Sequence, residues 1–158
     1  MDPTHAGYND TLHGYYLEDL RIGMSASHAK TVTETDVVMF AGLSGDFNEI
    51  HTSEAFSKGE RFGKRIAHGL LGLSIASGLA FQMGFLVGTV EVFRAIEWEF
   101  TGAIFLGDTI RVVAEVAETK GVPRLKSGKV VFKVSVVNQD GQLVQRGMWT
   151  VLMKMMPA

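Results

Sequence analysis

Ile66 to Val90 reads IAHGLLGLSIASGLAFQMGFLVGTV, a run without a single Asp, Glu, Lys or Arg. A membrane-spanning helix needs about 20 apolar residues, so length alone would allow one here. The run also carries His68, Ser74, Ser77, Gln82 and glycines at 69, 72, 78, 84 and 88. We read it as a helix from about Gly69 to Met83, buried on all sides inside a soluble domain, with a short loop behind it. A helix with no polar face of its own needs the rest of the chain to wrap it.

The residues beyond the run supply the wrapping. The period changes from 3.6 to 2: Ile96, Trp98 and Phe100 alternate with Glu97 and Glu99. Ile110, Val112, Ala114 and Val116 alternate with Arg111, Val113 and Glu115, and Val130, Phe132, Val134 and Val136 with Lys129, Lys133 and Ser135. A last run, Leu143 to Met153, comes after the turn Asn138-Gln139-Asp140-Gly141. Strands with one wet and one dry face predict an antiparallel sheet. The expected class is α+β, with the dry face of the sheet closed around the charge-free helix.

Upstream of the run the signals are shorter. Tyr15 to about Val32 reads as a docked segment leading into a strand. Thr33 and Asp36 form a T-x-x-D helix start, Val37, Phe40 and Ala41 follow at helical spacing, and Gly42 and Gly45 stop the helix. Ser53 and Glu54 open a second short helix through Phe56, and Gly59 to Arg65 is a charged loop. Residues 1–14 are polar and without period, so they are read as a tail preceding a single domain over 15–158.

Composition agrees with one domain. The chain has 158 residues, 46% apolar and 20% charged, enough for a core and too apolar for disorder. With 15 basic and 17 acidic side chains the formal charge is −2, which argues against a nucleic-acid or anionic-membrane surface. There is no cysteine, which excludes disulfides, thiolate metal sites and a cysteine nucleophile. The first residues lack a basic stretch followed by an apolar one, so a cytoplasmic location is expected.

Three features carry chemistry. Gly45-Asp46-Phe47-Asn48-Glu49-Ile50-His51 is the densest polar group. Asp46 and His51 are five apart and would not share a face of a regular helix, but a loop can bring them together. A carboxylate and an imidazole are the minimum set for moving one proton off water and another onto carbon. A plainer reading has Asp46 capping the next turn and His51 as a surface residue. The second feature is His68-Gly69 at the mouth of the apolar helix. There, free backbone N–H groups and the helix dipole favour a carbonyl or enolate oxygen, or the glycine merely relieves crowding. The third is Ser77, whose hydroxyl in an apolar helix ordinarily bonds back to the carbonyl four residues earlier.

Taken jointly, these residues resemble the MaoC-like dehydratases, and among them the (R)-specific enoyl-CoA hydratases. The family pattern is approximately F-A-x-L-S-G-D-x-N-P-x-H, then I-x-H-G-M, then a serine in the following helix. The chain reads Phe40-Ala41-Gly42-Leu43-Ser44-Gly45-Asp46-Phe47-Asn48-Glu49-Ile50-His51, then Ile66-Ala67-His68-Gly69-Leu70, then Ser77. Phe105-Leu106-Gly107-Asp108-Thr109 echoes a later Val-x-x-Gly-Asp element, and the likeness runs from about Tyr15 to Leu152.

The resemblance implies a hot-dog fold, a curved antiparallel sheet wrapped around a long central helix. It implies that Asp46 and His51 are the catalytic pair, that the Gly69 amide binds the substrate carbonyl, that Ser77 supports the site and that Asn48 shapes the catalytic loop. It implies hydration of trans-2-enoyl-CoA with no metal and no cofactor beyond the CoA thioester substrate, in a homodimer or a higher homo-oligomer. One position departs from the pattern: Glu49 stands where the family has proline. Two alternatives are carried beside this reading, a hot-dog acyl-CoA thioesterase and a non-catalytic acyl-thioester binding subunit. A metal site of Asp46, Glu49, His51 and His68 is possible by residue type alone. Lys58, Lys64, Arg65 and Lys126 have the charge to meet the CoA phosphates, but charged loop residues are ordinarily just solvated, and they are read so here.

Overall fold

The computed structural model describes residues 14–157. After a one-turn 3-10 segment at Leu17–Asp19 come strand β1 (Ser25–Thr31), helix α1 (Glu34–Ser44), two single-turn helices, α2 (Glu49–Thr52) and α3 (Glu54–Ser57), and helix α4 (Gly69–Gln82). Four strands complete the chain: β2 (Val90–Phe100), β3 (Thr109–Val122), β4 (Ser127–Val137) and β5 (Leu143–Lys154). They form one sheet in the order β1-β3-β4-β5-β2, and every neighbouring pair is antiparallel.

The alternating apolar residues dictate which face is dry. Ile110, Val112, Ala114 and Val116 of β3 are buried, as are Val130, Phe132, Val134 and Val136 of β4 and Trp149, Val151 and Met153 of β5. The register places Phe132 opposite Trp149 and Val130 opposite Val151, so these side chains form continuous rows across the sheet. α4 packs against this face near β1 and β3, and its Leu71, Ala76, Leu79 and Ala80 join the same core. A sheet curved over one long helix is the hot-dog architecture.

The extents of the elements follow the sequence signals, with three corrections. α4 is not buried on all sides. Leu70 is 60% and Phe81 58% exposed, and Ser74, Ser77 and Gly78 share that open face. The sheet therefore covers one side of α4, and an apolar composition all round hid where the cover ends. Secondly, α1 runs through Gly42 and ends at Gly45, whose φ of 78° is left-handed and whose N–H donates to the Ala41 carbonyl at 2.8 Å. Thirdly, His51 does not lie in a loop but on α2, one turn long and capped by Asn48.

Residues 1–13 of the expected tail lie outside the described residues. Gly14, placed in that tail by composition, is buried, and its N–H donates to the Val87 carbonyl. No helix among the described residues is long and apolar enough to cross a membrane.

Candidate active site

The site begins with the start of α1. The Thr33 hydroxyl accepts from the Asp36 N–H at 3.2 Å, and the Asp36 carboxylate accepts from the Thr33 N–H at 2.8 Å and from Lys30 Nζ at 2.6 Å. Burial pushes the Asp36 pKa up, but the hydrogen bonds from Lys30 and Thr33 and the Lys30 charge outweigh it and hold the carboxyl below its usual value. This cap fixes one end of α1, and the left-handed Gly45 at the other end turns the chain into the loop that carries Asp46. The Asp46 N–H then donates to Ser44 Oγ at 3.2 Å, and Asp46 Oδ1 accepts from the Asn48 N–H at 3.2 Å.

Asn48 Oδ1 in turn accepts from the Ile50 N–H at 3.3 Å, the side-chain cap that starts α2. Glu49 is the first residue of that helix. Proline is favoured at this position because its missing N–H costs nothing there, and an acidic residue suits the helix dipole. The departure from the family pattern thus falls where glutamate and proline are both accommodated.

His51 is 7% exposed, which removes the surface-residue reading. Its Nδ1 lies 2.8 Å from the Ile66 carbonyl oxygen. A carbonyl only accepts, so Nδ1 carries the hydrogen and Nε2 is left with the lone pair of the neutral ring. Burial is the main influence lowering the His51 pKa below 6.5. The Ile66 hydrogen bond opposes it, the neighbouring His68 lowers it further, and the Asp46 charge raises it. Arg65, read in the sequence as solvated, is built into the site: its Nε donates to the His51 carbonyl at 2.7 Å while its guanidinium grips the Glu34 carboxylate at 2.8 and 2.9 Å.

Asp46, His51 and His68 each place one nitrogen or oxygen within 4.8 Å of the others. By composition this trio is a donor set for a divalent ion, and Glu49 is not part of it. The two imidazoles are stacked, with centroids 3.8 Å apart and planes 28° apart. Lone pairs lie in the ring planes, so stacked rings aim them poorly at one ion.

Beside His51 the first turn of α4 opens onto a cleft of about 450 Å³, walled by His51, Ile66, Gly69, Phe100, Ile104 and Gln145. A Cβ on Gly69 would lie 2.9 Å from the Phe100 ring, so only glycine lets this turn and the ring approach so closely. Of the expected catalytic pair, His51 lines this cleft, while Asp46 is exposed and outside its wall.

Gln145, which the sequence reading did not single out, is buried in the cleft wall. Its Nε2 donates to the Gly69 carbonyl at 3.0 Å and its Oε1 accepts from Trp98 Nε1 at 3.2 Å. Ser77 is not brought to this cluster within one chain. It lies eight residues beyond Gly69, about 12 Å along the helix axis, exposed, with its hydroxyl donating to the Ser74 carbonyl at 2.8 Å.

Residues 21–138 match the family described as MaoC like domain. An (R)-specific enoyl-CoA hydratase of Rhodospirillum rubrum is 36% identical over 143 residues, 90% of this chain and 94% of that protein. A 3-hydroxybutyryl-CoA dehydratase of Methylorubrum extorquens is 35% identical over 130 residues, 80% of each chain. The solved structure of an R-hydratase of Pseudomonas aeruginosa, in its unliganded form, superimposes with a TM-score of 0.79 at 29% identity, over 90% of this chain and 88% of that one.

Proposed function

The chain belongs to the family of MaoC-like domains, and from that premise we propose that it is a hydro-lyase adding water across the double bond of a trans-2-enoyl-CoA to give an (R)-3-hydroxyacyl-CoA, and catalysing the reverse dehydration. The relatives named as enoyl-CoA hydratase and 3-hydroxybutyryl-CoA dehydratase support this reaction class. The observation that carries the reading is His51: buried in the wall of the cleft, its Nδ1 committed to a carbonyl, its Nε2 free, and the Asp46 carboxylate close by.

In this reading Asp46 and His51 Nε2 hold one water between them. As the water oxygen bonds to C3 of the enoyl group, one water proton passes to the pair, and the pair delivers a proton to C2. Both come from one side, which favours syn addition. Charge that builds on the thioester oxygen is met by the Gly69 N–H, and one such donor is typically worth about 3–4 kcal/mol of barrier. Asn48 holds the short helix that carries His51. Gln145 steadies the turn that presents Gly69. The cleft takes the acyl group, and the CoA arm lies outside it.

The working form is a homodimer in this proposal. β2 is an edge strand of the sheet and exposes Val92, Phe93, Ile96 and Phe100. A long apolar edge left unpaired invites another strand, and a second copy of the chain answers it.

The test is the loss of the enoyl absorbance of crotonyl-CoA with wild type, Asp46→Asn and His51→Ala side by side. General acid–base groups contribute roughly 100- to 10,000-fold each, so both variants are expected to lose at least about 100-fold in kcat. Full activity in either overturns the assignment of the pair. Release of free thiol from a saturated acyl-CoA would instead mark a thioesterase.

A further inference from the structure

One buried imidazole has no part in the proton transfers of the hydration, yet it touches both residues that make them. His68 is 2% exposed. Its Nε2 lies 2.9 Å from the backbone carbonyl oxygen of Asp46, and since that oxygen only accepts, Nε2 carries the hydrogen and donates. The ring stacks on His51 with centroids 3.8 Å apart, and Phe40 packs against it at 5.0 Å with a 57° tilt. Nδ1 is buried without a hydrogen-bond partner.

That orphaned nitrogen is informative. A buried polar atom left unpaired is destabilising, and a phenyl ring would fill the same space between Phe40 and His51 without it. Packing alone does not account for an imidazole at this position, whereas a use for Nε2 does. Asp46 is exposed, and its other two bonds, to Ser44 Oγ and from the Asn48 N–H, are both 3.2 Å long. The bond from His68 is shorter and reaches the loop from the buried side. His68 also stands at the N-cap position of α4, its side chain turned to Asp46 instead of to the helix, and it precedes Gly69, so one residue joins the carboxylate loop, the His51 ring and the turn that presents the Gly69 amide.

We propose that His68 is a positioning residue for the hydration, its Nε2–H fixing the Asp46 peptide so that the carboxylate keeps its place relative to His51 and Gly69. This rests on the assignment of Asp46 and His51 as the catalytic pair. A displacement of about 1 Å in a reacting group can cost on the order of 100-fold in rate, which sets the size of effect to look for.

Two substitutions separate the donor from the ring. His68→Phe keeps the flat ring and the packing but has no N–H. His68→Gln loses the ring but places an amide N–H at similar reach. Crotonyl-CoA hydration is measured for both beside Asp46→Asn, with folding followed by circular dichroism and thermal midpoint. Expected are a kcat roughly 10- to 100-fold lower for His68→Phe with KM changed less than about threefold, and recovery to within about fivefold of wild type in His68→Gln. Wild-type kcat in a folded His68→Phe protein overturns the proposal, and so do equal losses in both variants, because the donor would then count for nothing. If His68→Phe does not fold, His68→Leu removes the donor in a smaller volume and is judged in the same way. An inactive Asp46→Asn beside a fully active His68→Phe defeats the positioning role alone, whereas a fully active Asp46→Asn defeats the assignment of the pair and this inference with it.

Discussion

In the proposed hydration the two nitrogens of His51 have different tasks. The Ile66 carbonyl fixes Nδ1–H and thereby the tautomer, while burial, the largest influence, disfavours the charged ring and moves its pKa below 6.5. The base form therefore persists to more acidic pH than in a free histidine. The acid limb of kcat/KM for crotonyl-CoA is expected below 6.5, and a limb at or above that value would show that His51 is not the group that must be neutral. The same shift has a consequence for stability. As pH falls from 6.5 towards the folded value, the unfolded chain binds the proton and the folded one resists it, so this contribution to stability is full above 6.5 and is lost on acidification. Thermal midpoints recorded across that range check the sign.

At this scale the sequence showed which residue types were present but not their surroundings. Asp46 and His51 stood out by kind, and nothing in a D-x4-H spacing says that one is exposed and the other buried. Gln145 was invisible for another reason. It reaches Gly69 only because β5 pairs with β2 so that Gln145 lies opposite Phe100. In addition, a register shift between Val136 and Val137 lets consecutive residues, Val144 and Gln145, both be buried. A period-2 reading assigns one of two such neighbours to solvent.

Among the elements, α1 is the lever that sets the loop. Its start was legible because a T-x-x-D cap is a local signal that needs no tertiary contact, and the reciprocal bonds of Thr33 and Asp36 are its physical content. Thr33→Ala is expected to cost about 1 kcal/mol in denaturant unfolding while leaving kcat nearly unchanged, since the cap stands a whole helix away from Asp46. Gly45→Ala should behave differently. At φ 78° an added Cβ is strained by about 1–2 kcal/mol, and the strain falls on the residue before Asp46, so kcat should drop as well as stability. Equal kcat in the two variants would show that the loop does not depend on the end of α1. α2, by contrast, could not be foreseen: one turn is too short for a period of 3.6 to show, and only the Asn48 cap marks it.

For the whole molecule, the charge-free stretch is legible as a helix but not as one left partly open by its own chain. Absence of charge reports what a face avoids, not which atoms cover it. The sheet covers the side of α4 that carries Leu71, Ala76, Leu79 and Ala80, and leaves Leu70 and Phe81 open, while β2 leaves Val92, Phe93, Ile96 and Phe100 open at the edge of the sheet. Apolar side chains of this size are each worth roughly 1.5–3 kcal/mol when fully buried, so a partner that covers even a few of them gains enough to compete with the entropy of association. A second copy offers the same surfaces in self-complementary form. Light scattering is expected to give twice the mass of one chain at micromolar concentration. Ile96→Lys places a charge in the middle of the β2 edge, where it is tolerated in one chain because the position is exposed but is costly inside an interface. It should yield a folded monomer, with circular dichroism unchanged. A wild type that stays at the mass of one chain at tens of micromolar would remove the dimer, and with it the explanation for the uncovered apolar faces.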